Sequence, residues 1–143
     1  MHKSMNNVPI NELMEIVEYA LNKGVSISWA ADISGLNFKD GVATIPVEGA
    51  DIKDPKHEEK TVSQEDRQYV FDNYQLTDDH GMHLVGLAKD QNGKQYFIEK
   101  NSWGEGNLYK GFSYVSDSFM RLRTMSIMVH KDGVPKNILK KLK

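Results

Sequence analysis

His83-Leu-Val-Gly-Leu-Ala-Lys89, Asp90-Gln-Asn-Gly-Lys94 and Gln95-Tyr-Phe-Ile-Glu-Lys100 follow one another through the middle of the chain. Two runs rich in apolar residues flank a polar turn. Asn92-Gly93 is the pair that tolerates positive φ at both central positions of a tight hairpin. The stretch therefore predicts two antiparallel strands. Downstream, Gly111 to Val115 predicts a third strand, and Ser116 caps a short helix to about Arg121. Thr124 to Lys131 predicts a fourth, with Met125, Ile127 and Val129 alternating against Ser126, Met128 and His130. Pro135 opens a lysine-rich tail, 135–143, ending Ile138-Leu-Lys-Lys-Leu-Lys143 and expected to be a solvated last turn of helix.

Upstream, Ile10, Leu13, Met14, Val17, Ala20 and Leu21 keep the spacing of one helical face, with Glu12, Glu15, Glu18 and Asn22 opposite. Pro9 suits the first turn and Gly24 a position just past the end. Val25-Ser-Ile-Ser-Trp-Ala30 then alternates as a half-buried strand, with Trp29 assigned to the core. Residues 31–62 read as a long loop region, because Gly35, Gly41, Pro46, Gly49 and Pro55 interrupt every candidate element. One short strand, Gly41 to Val47, fits within it, and Asp51 to Lys60 reads as an exposed, mobile excursion. Ser63-Gln-Glu-Asp66 has helix-capping character, with a short helix to about Asn73. The expected architecture is α+β in one domain, 1–143: an N-terminal helix on a mainly antiparallel, twisted sheet.

Composition narrows the function classes. The 143 residues carry a formal net charge of −2, are 39% hydrophobic and 27% charged, and contain no cysteine. A balance so near neutral argues against a nucleic-acid partner. No apolar run reaches the ~18 residues needed to span a membrane, and no signal-peptide core precedes Pro9. The expected location is cytoplasmic. Without cysteine there is no disulfide, no thiolate metal site and no thiol nucleophile from this chain.

Two segments carry chemistry, Thr77-Asp-Asp-His-Gly-Met-His-Leu-Val-Gly86 and Glu99-Lys-Asn-Ser-Trp-Gly-Glu105. His80 and Asn101 lie at similar distances before and after the Asn92-Gly93 turn, so antiparallel pairing brings the two side chains within reach. Asp78, Asp79, His80 and His83 suggest a metal cluster, but an offset of three on a strand sends the two imidazoles to opposite faces. No metal and no cofactor are expected.

His80-Gly81 entering an apolar strand, Lys100-Asn-Ser-Trp-Gly104 and Lys110-Gly111-Phe112 together resemble the C-terminal half of a papain-like cysteine peptidase. Pro9-Ile10, Gly24 to Asp32, Asp79-His-Gly-Met82 and Met125-Ser-Ile-Met128 resemble the bleomycin hydrolase and aminopeptidase C branch. The resemblance implies the right-hand β lobe of that fold, a half-barrel, and a cysteine aminopeptidase acting on N-terminal peptide bonds. It implies that His80 forms the ion pair with the thiolate and transfers protons, and that Asn101 orients the imidazole. Trp103 would shield that bond and Gly104 would let the chain turn away beneath the indole. It also implies a peptide substrate, a ring-like homo-oligomer and contact between the C-terminal tail and the cleft.

The family's Cys and its preceding oxyanion-hole Gln have no counterpart here. The chain therefore reads as the lobe carrying His and Asn without the lobe carrying the thiol, and it is expected to be inactive alone. Three origins fit: a piece of a longer aminopeptidase, one product of a split gene, or a non-catalytic binding or inhibitory module that keeps the fold.

Overall fold

A computed structural model describes residues 5–34, 41–54 and 56–142. The expected breakers Gly35 and Pro55, and the last residue of the tail, Lys143, lie outside the described residues. Helix α1 (Ile10–Asn22) begins one residue after Pro9, and the amide of Ile10 donates to Gln64 Oε1 at 2.8 Å. It ends in a Schellman arrangement. Gly24 N–H donates to Leu21 O and Val25 N–H to Ala20 O, with Gly24 at φ +74°. That second bond uses the Val25 amide, so strand β1 (Ile27–Ala31) starts two residues later than the alternation predicts.

Five further strands complete one sheet: β2 (Val42–Ala43), β3 (His80–Lys89), β4 (Gln95–Lys100), β5 (Phe112–Ser116) and β6 (Thr124–Val129). Their order is β2-β5-β4-β3-β1-β6, with only the short β2–β5 pair parallel. Helix α2 (Gln64–Asp72) starts at a capping box made by Ser63 and Asp66, as the sequence predicts. Helix α3 (Asp117–Arg123) is capped by the Ser116 hydroxyl, and α4 (Lys136–Leu139) follows a 3-10 turn at Lys131–Gly133. The fold is α+β.

One face of the sheet makes the core. Ile27, Trp29, Leu84, Phe97 and Val115 meet Met14, Val17 and Ala20 of α1 and Phe119 and Met120 of α3, and most are fully buried. Trp29 crosses Phe119 edge-on, and its indole N–H donates to Thr124 Oγ1 at 2.9 Å, so the large polar-tipped ring is fully satisfied. The β3–β4 ladder contains a β-bulge. Gly86 pairs with Ile98 but Leu84 pairs with Glu99, leaving Val85 as the extra residue.

Two sequence expectations are corrected. The tail is not simply solvated: Ile138 is fully buried and packs with Val134 against Ile16, on a second side of α1 that the single-face reading overlooked. Lys141 adds an ion pair to Glu12 at 2.6 Å. Nor is the 51–60 excursion loose at its far end. Val47 N–H donates to Glu58 O and Lys60 N–H to Ile45 O, closing a neck. The Glu59 side chain, 6% exposed, takes the Ile45 amide, the Ser116 hydroxyl and the Lys94 ammonium. The candidate strand Gly41 to Val47 contracts to Val42–Ala43 because Pro46 pairs with Glu59 instead.

Removing Glu59 exposes this neck to solvent fluctuations without touching the central ladder. Glu59→Ala is expected to speed amide exchange at Val47 and Lys60 by about tenfold or more while Phe97 and Val115 keep wild-type protection. Unchanged exchange at Val47 and Lys60 would show that the neck closes without it.

Candidate active site

The register of the hairpin carries His80 and Asn101 to the same end and the same face of the sheet. On the turn side of the bulge, Leu87 shares the core face with Phe97; on the far side that face holds Leu84, Met82 and His80. Glu99 and Asn101 continue the Phe97 face of β4, both buried. His83 falls on the opposite face and is exposed. Among the described residues, no group of three or more His, Asp or Glu side chains is arranged to hold a metal ion.

His80 Nε2 lies 2.9 Å from Asn101 Oδ1. The orientation of the amide follows from a second contact: the Ser102 backbone N–H, which can only donate, points at the same oxygen at 2.8 Å. The atom facing His80 is therefore an acceptor, and Nε2 carries the hydrogen. In the neutral imidazole Nδ1 is then left as the acceptor, free to take or hold a proton. Trp103 stacks on the imidazole, with ring centroids 4.8 Å apart and planes 28° from parallel, while its outer side is exposed. The chain turns away at Gly104 with φ +77°. Gly111, from the next loop, sits so close that a Cβ there would meet the Gly104 carbonyl oxygen at 2.4 Å. Its own carbonyl accepts from the Asn101 amide, extending the ladder past β4 to the residue that needs holding.

Two residues to which the motifs assign no role shape this end of the sheet. Asp32, 1% exposed, accepts from the backbone and hydroxyl of both Ser34 and Thr77, and Arg123 lies 3.3 Å away. Burial works to raise its pKa, but the Ser34 hydroxyl, the two amides and the guanidinium outweigh it and hold the carboxyl below its usual 3.8. Asp79 Oδ1 takes the Ile33 amide. These bonds tie 32–34 to 77–79, the segment that delivers His80. The second is Glu99, fully buried, with no hydrogen-bond partner of good geometry for either carboxylate oxygen among the described residues. Burial pushes its pKa up from 4.5 to about 7, against the opposing pull of the Ser113 hydroxyl, His80 and Lys100. The signal for Glu99 was in the sequence: it occupies the inward position of an alternating strand, between Phe97 and Asn101.

The sign of the Glu99 effect is definite. Its folded pKa lies above the unfolded value, so the stabilisation from holding that proton is complete below about pH 4.5 and is lost as pH rises through about 7. Glu99→Gln is expected to stabilise the protein by about 2–3 kcal/mol at pH 8, with little gain at pH 4.5, in urea denaturation. An equal gain at both pH values would contradict this. Asp32→Ala is expected to cost about 3 kcal/mol at neutral pH, because it leaves Arg123 and two backbone donors without their acceptor.

The sequence matches the model of the Peptidase C1-like family over residues 2–143. No curated protein matches the sequence. Among solved structures, PepW from Lactobacillus rhamnosis HN001 is similar at 19% identity and a TM-score of 0.69, over 94% of this chain and 29% of that one. Bromelain from Ananas comosus, solved with the E64 inhibitor, aligns at 20% identity and a TM-score of 0.49, over 85% of this chain and 46% of that one. The chain thus spans less than a third of the PepW polypeptide. At that identity the PepW likeness speaks to the fold, while the family match covers nearly every residue, the His80–Asn101 pair included: the chain belongs to the Peptidase C1-like family of papain-like cysteine peptidases.

Proposed function

We propose that this chain is the His- and Asn-bearing lobe of a two-lobe cysteine aminopeptidase of the bleomycin hydrolase kind, completed by a thiol from outside these 143 residues. The observation that carries the reading is the His80–Asn101 hydrogen bond at 2.9 Å, whose polarity leaves Nδ1 free for proton transfer. A cysteine facing Nδ1 would lose its proton to it, giving a thiolate beside an imidazolium that Asn101 holds in plane. The thiolate sulfur would attack the peptide carbonyl carbon, and the imidazolium proton would pass to the departing amine nitrogen as the C–N bond breaks. Water, deprotonated by the same imidazole, would then cleave the thioester and return the thiol. Trp103 supports the arrangement by covering one face of the ring, which strengthens the polar contact beneath it.

Tyr69, Phe71, Tyr74, Trp103 and Leu108 are large apolar side chains that stand exposed, which supports contact with other protein, whether the thiol-bearing lobe or further copies in a homo-oligomer. The substrate is a peptide with a free N-terminus.

Pure chain is expected to release no product from fluorogenic aminoacyl substrates. Combined with the thiol-bearing lobe it is expected to do so, with inhibition by an epoxide thiol reagent. In that complex His80→Ala should lower kcat/KM by about a thousandfold or more, and Asn101→Ala by a smaller factor, because orientation rather than proton transfer is lost. Epoxide-sensitive cleavage by the chain alone, or full activity in His80→Ala, would overturn the reading.

A further inference from the structure

Glu99 is a fully buried carboxyl at the end of the sheet that bears His80, and the chemistry proposed above makes no use of it. It lies two residues before Asn101 on the same strand face. Asn101 spends its Oδ1 on His80 and Ser102, while its Nδ2 is buried with no hydrogen-bond partner among the described residues. One strand face thus holds, at adjacent inward positions, a buried donor without a hydrogen-bond acceptor and a buried carboxyl with only the Ser113 hydroxyl nearby and no hydrogen bond of good geometry among the described residues. Leaving either unmatched costs about 1–3 kcal/mol, more when the group is charged, so mutual satisfaction is strongly favoured.

Few other titratable groups face this position. On β4, Lys100 turns to the other side, where its ammonium meets the Phe112 ring and the Gly111 carbonyl, and Tyr96 lies on that side too, near Lys94. From β3 comes His80, with His83 on the far face. From β5 comes the Ser113 hydroxyl, directly across the ladder, while Tyr114 packs on Tyr109. Helix α3 turns Phe119 and Met120 inward, Asp117 pairs with Arg121, and Arg123 with Asp32. Glu18 of α1 is engaged by Gln95 at the opposite end of β4. His80 is therefore the group whose charge Glu99 can influence most directly.

We propose that Glu99 is a positioning residue for the His80–Asn101 pair: as carboxylate it accepts from Asn101 Nδ2, holds Oδ1 toward His80 Nε2, and favours the imidazolium through its negative charge. Protonation of Glu99 weakens both effects, since a neutral carboxyl is a poorer acceptor and carries no field. The inference rests on His80 being the proton-transfer group, but its test needs no thiol.

The test is a proton NMR titration of the histidine ring signals in the full chain, wild type against Glu99→Gln. The His80 midpoint is expected to fall by about half a unit or more in the variant, with His57, His83 and His130 unmoved. The Asn101 side-chain amide signals should also carry a component that follows the Glu99 titration in the wild type and is lost in Glu99→Gln, which leaves only the change imposed by the bonded His80. Superimposable His80 curves, or Asn101 amide signals with the same pH dependence in the wild type and in Glu99→Gln, would overturn the proposal. A merely structural Glu99 would alter stability without moving either readout. Since both are measured without cysteine, failure here leaves the peptidase complementation standing, and failure of complementation leaves this coupling intact.

Discussion

The single extra residue at Val85 governs the site. Beyond it, the inward face of β3 changes from odd to even positions, and Leu84, Met82 and His80 come to face the core side with Glu99 and Asn101. With an unbroken ladder the parity would remain that of Leu87, and His83 would turn toward Asn101 in place of His80. The bulge therefore chooses between two histidines three residues apart. It does so at the backbone, before any side-chain hydrogen bond is made. The pairing of β1 with β3 stabilises this choice from the other edge, by matching His80 to Ala31.

The same face changes character along its length. Phe97, Leu84, Val115 and Trp29 make a dry core against α1 and α3, and within a few residues the face turns to the buried polar groups Glu99 and Asn101, while Asp32, just past the end of β1, is buried as well. Asp32 is neutralised by hydrogen bonds and Arg123, so it acts as a fastener. Glu99 has only the weaker pull of the Ser113 hydroxyl, His80 and Lys100 against its burial, so its charge state remains responsive near neutral pH. Two carboxyls of equal burial thus behave differently because one is surrounded by donors and the other is not.

Much of this was legible in the sequence. Element types and order follow from period and capping: the Ser63 box and the closing strand match, and the hairpin turns where expected, although only Gly93 of the Asn92-Gly93 pair takes a positive φ. The His80–Asn101 meeting was legible because a hairpin folds the segments on either side of its turn against each other, even though His80 lies twelve residues before Asn92 and Asn101 only eight after Gly93. The bulge was less so. Gly86 inside a strand is a recognised hint, but the position of an unpaired residue depends on what both neighbouring strands can match. Ile138 was hidden by its lysine neighbours, since Ile138, Leu139 and Leu142 span little more than one turn and define no helical face to read. Glu59 was hidden for a similar reason: its three partners, Ile45, Lys94 and Ser116, come from distant segments.

The closed neck formed by Ile45, Val47, Glu58 and Lys60 bears on how this protein could change over evolutionary time or under engineering. Once the ends of a loop are held together by their own hydrogen bonds and a buried side chain, the length between them costs little, rising only with the logarithm of residue number. The stretch from Glu48 to Asp54 is then a natural insertion point. A longer loop, a reporter or a recognition segment could be accommodated there without altering the strand register at the other end of the sheet.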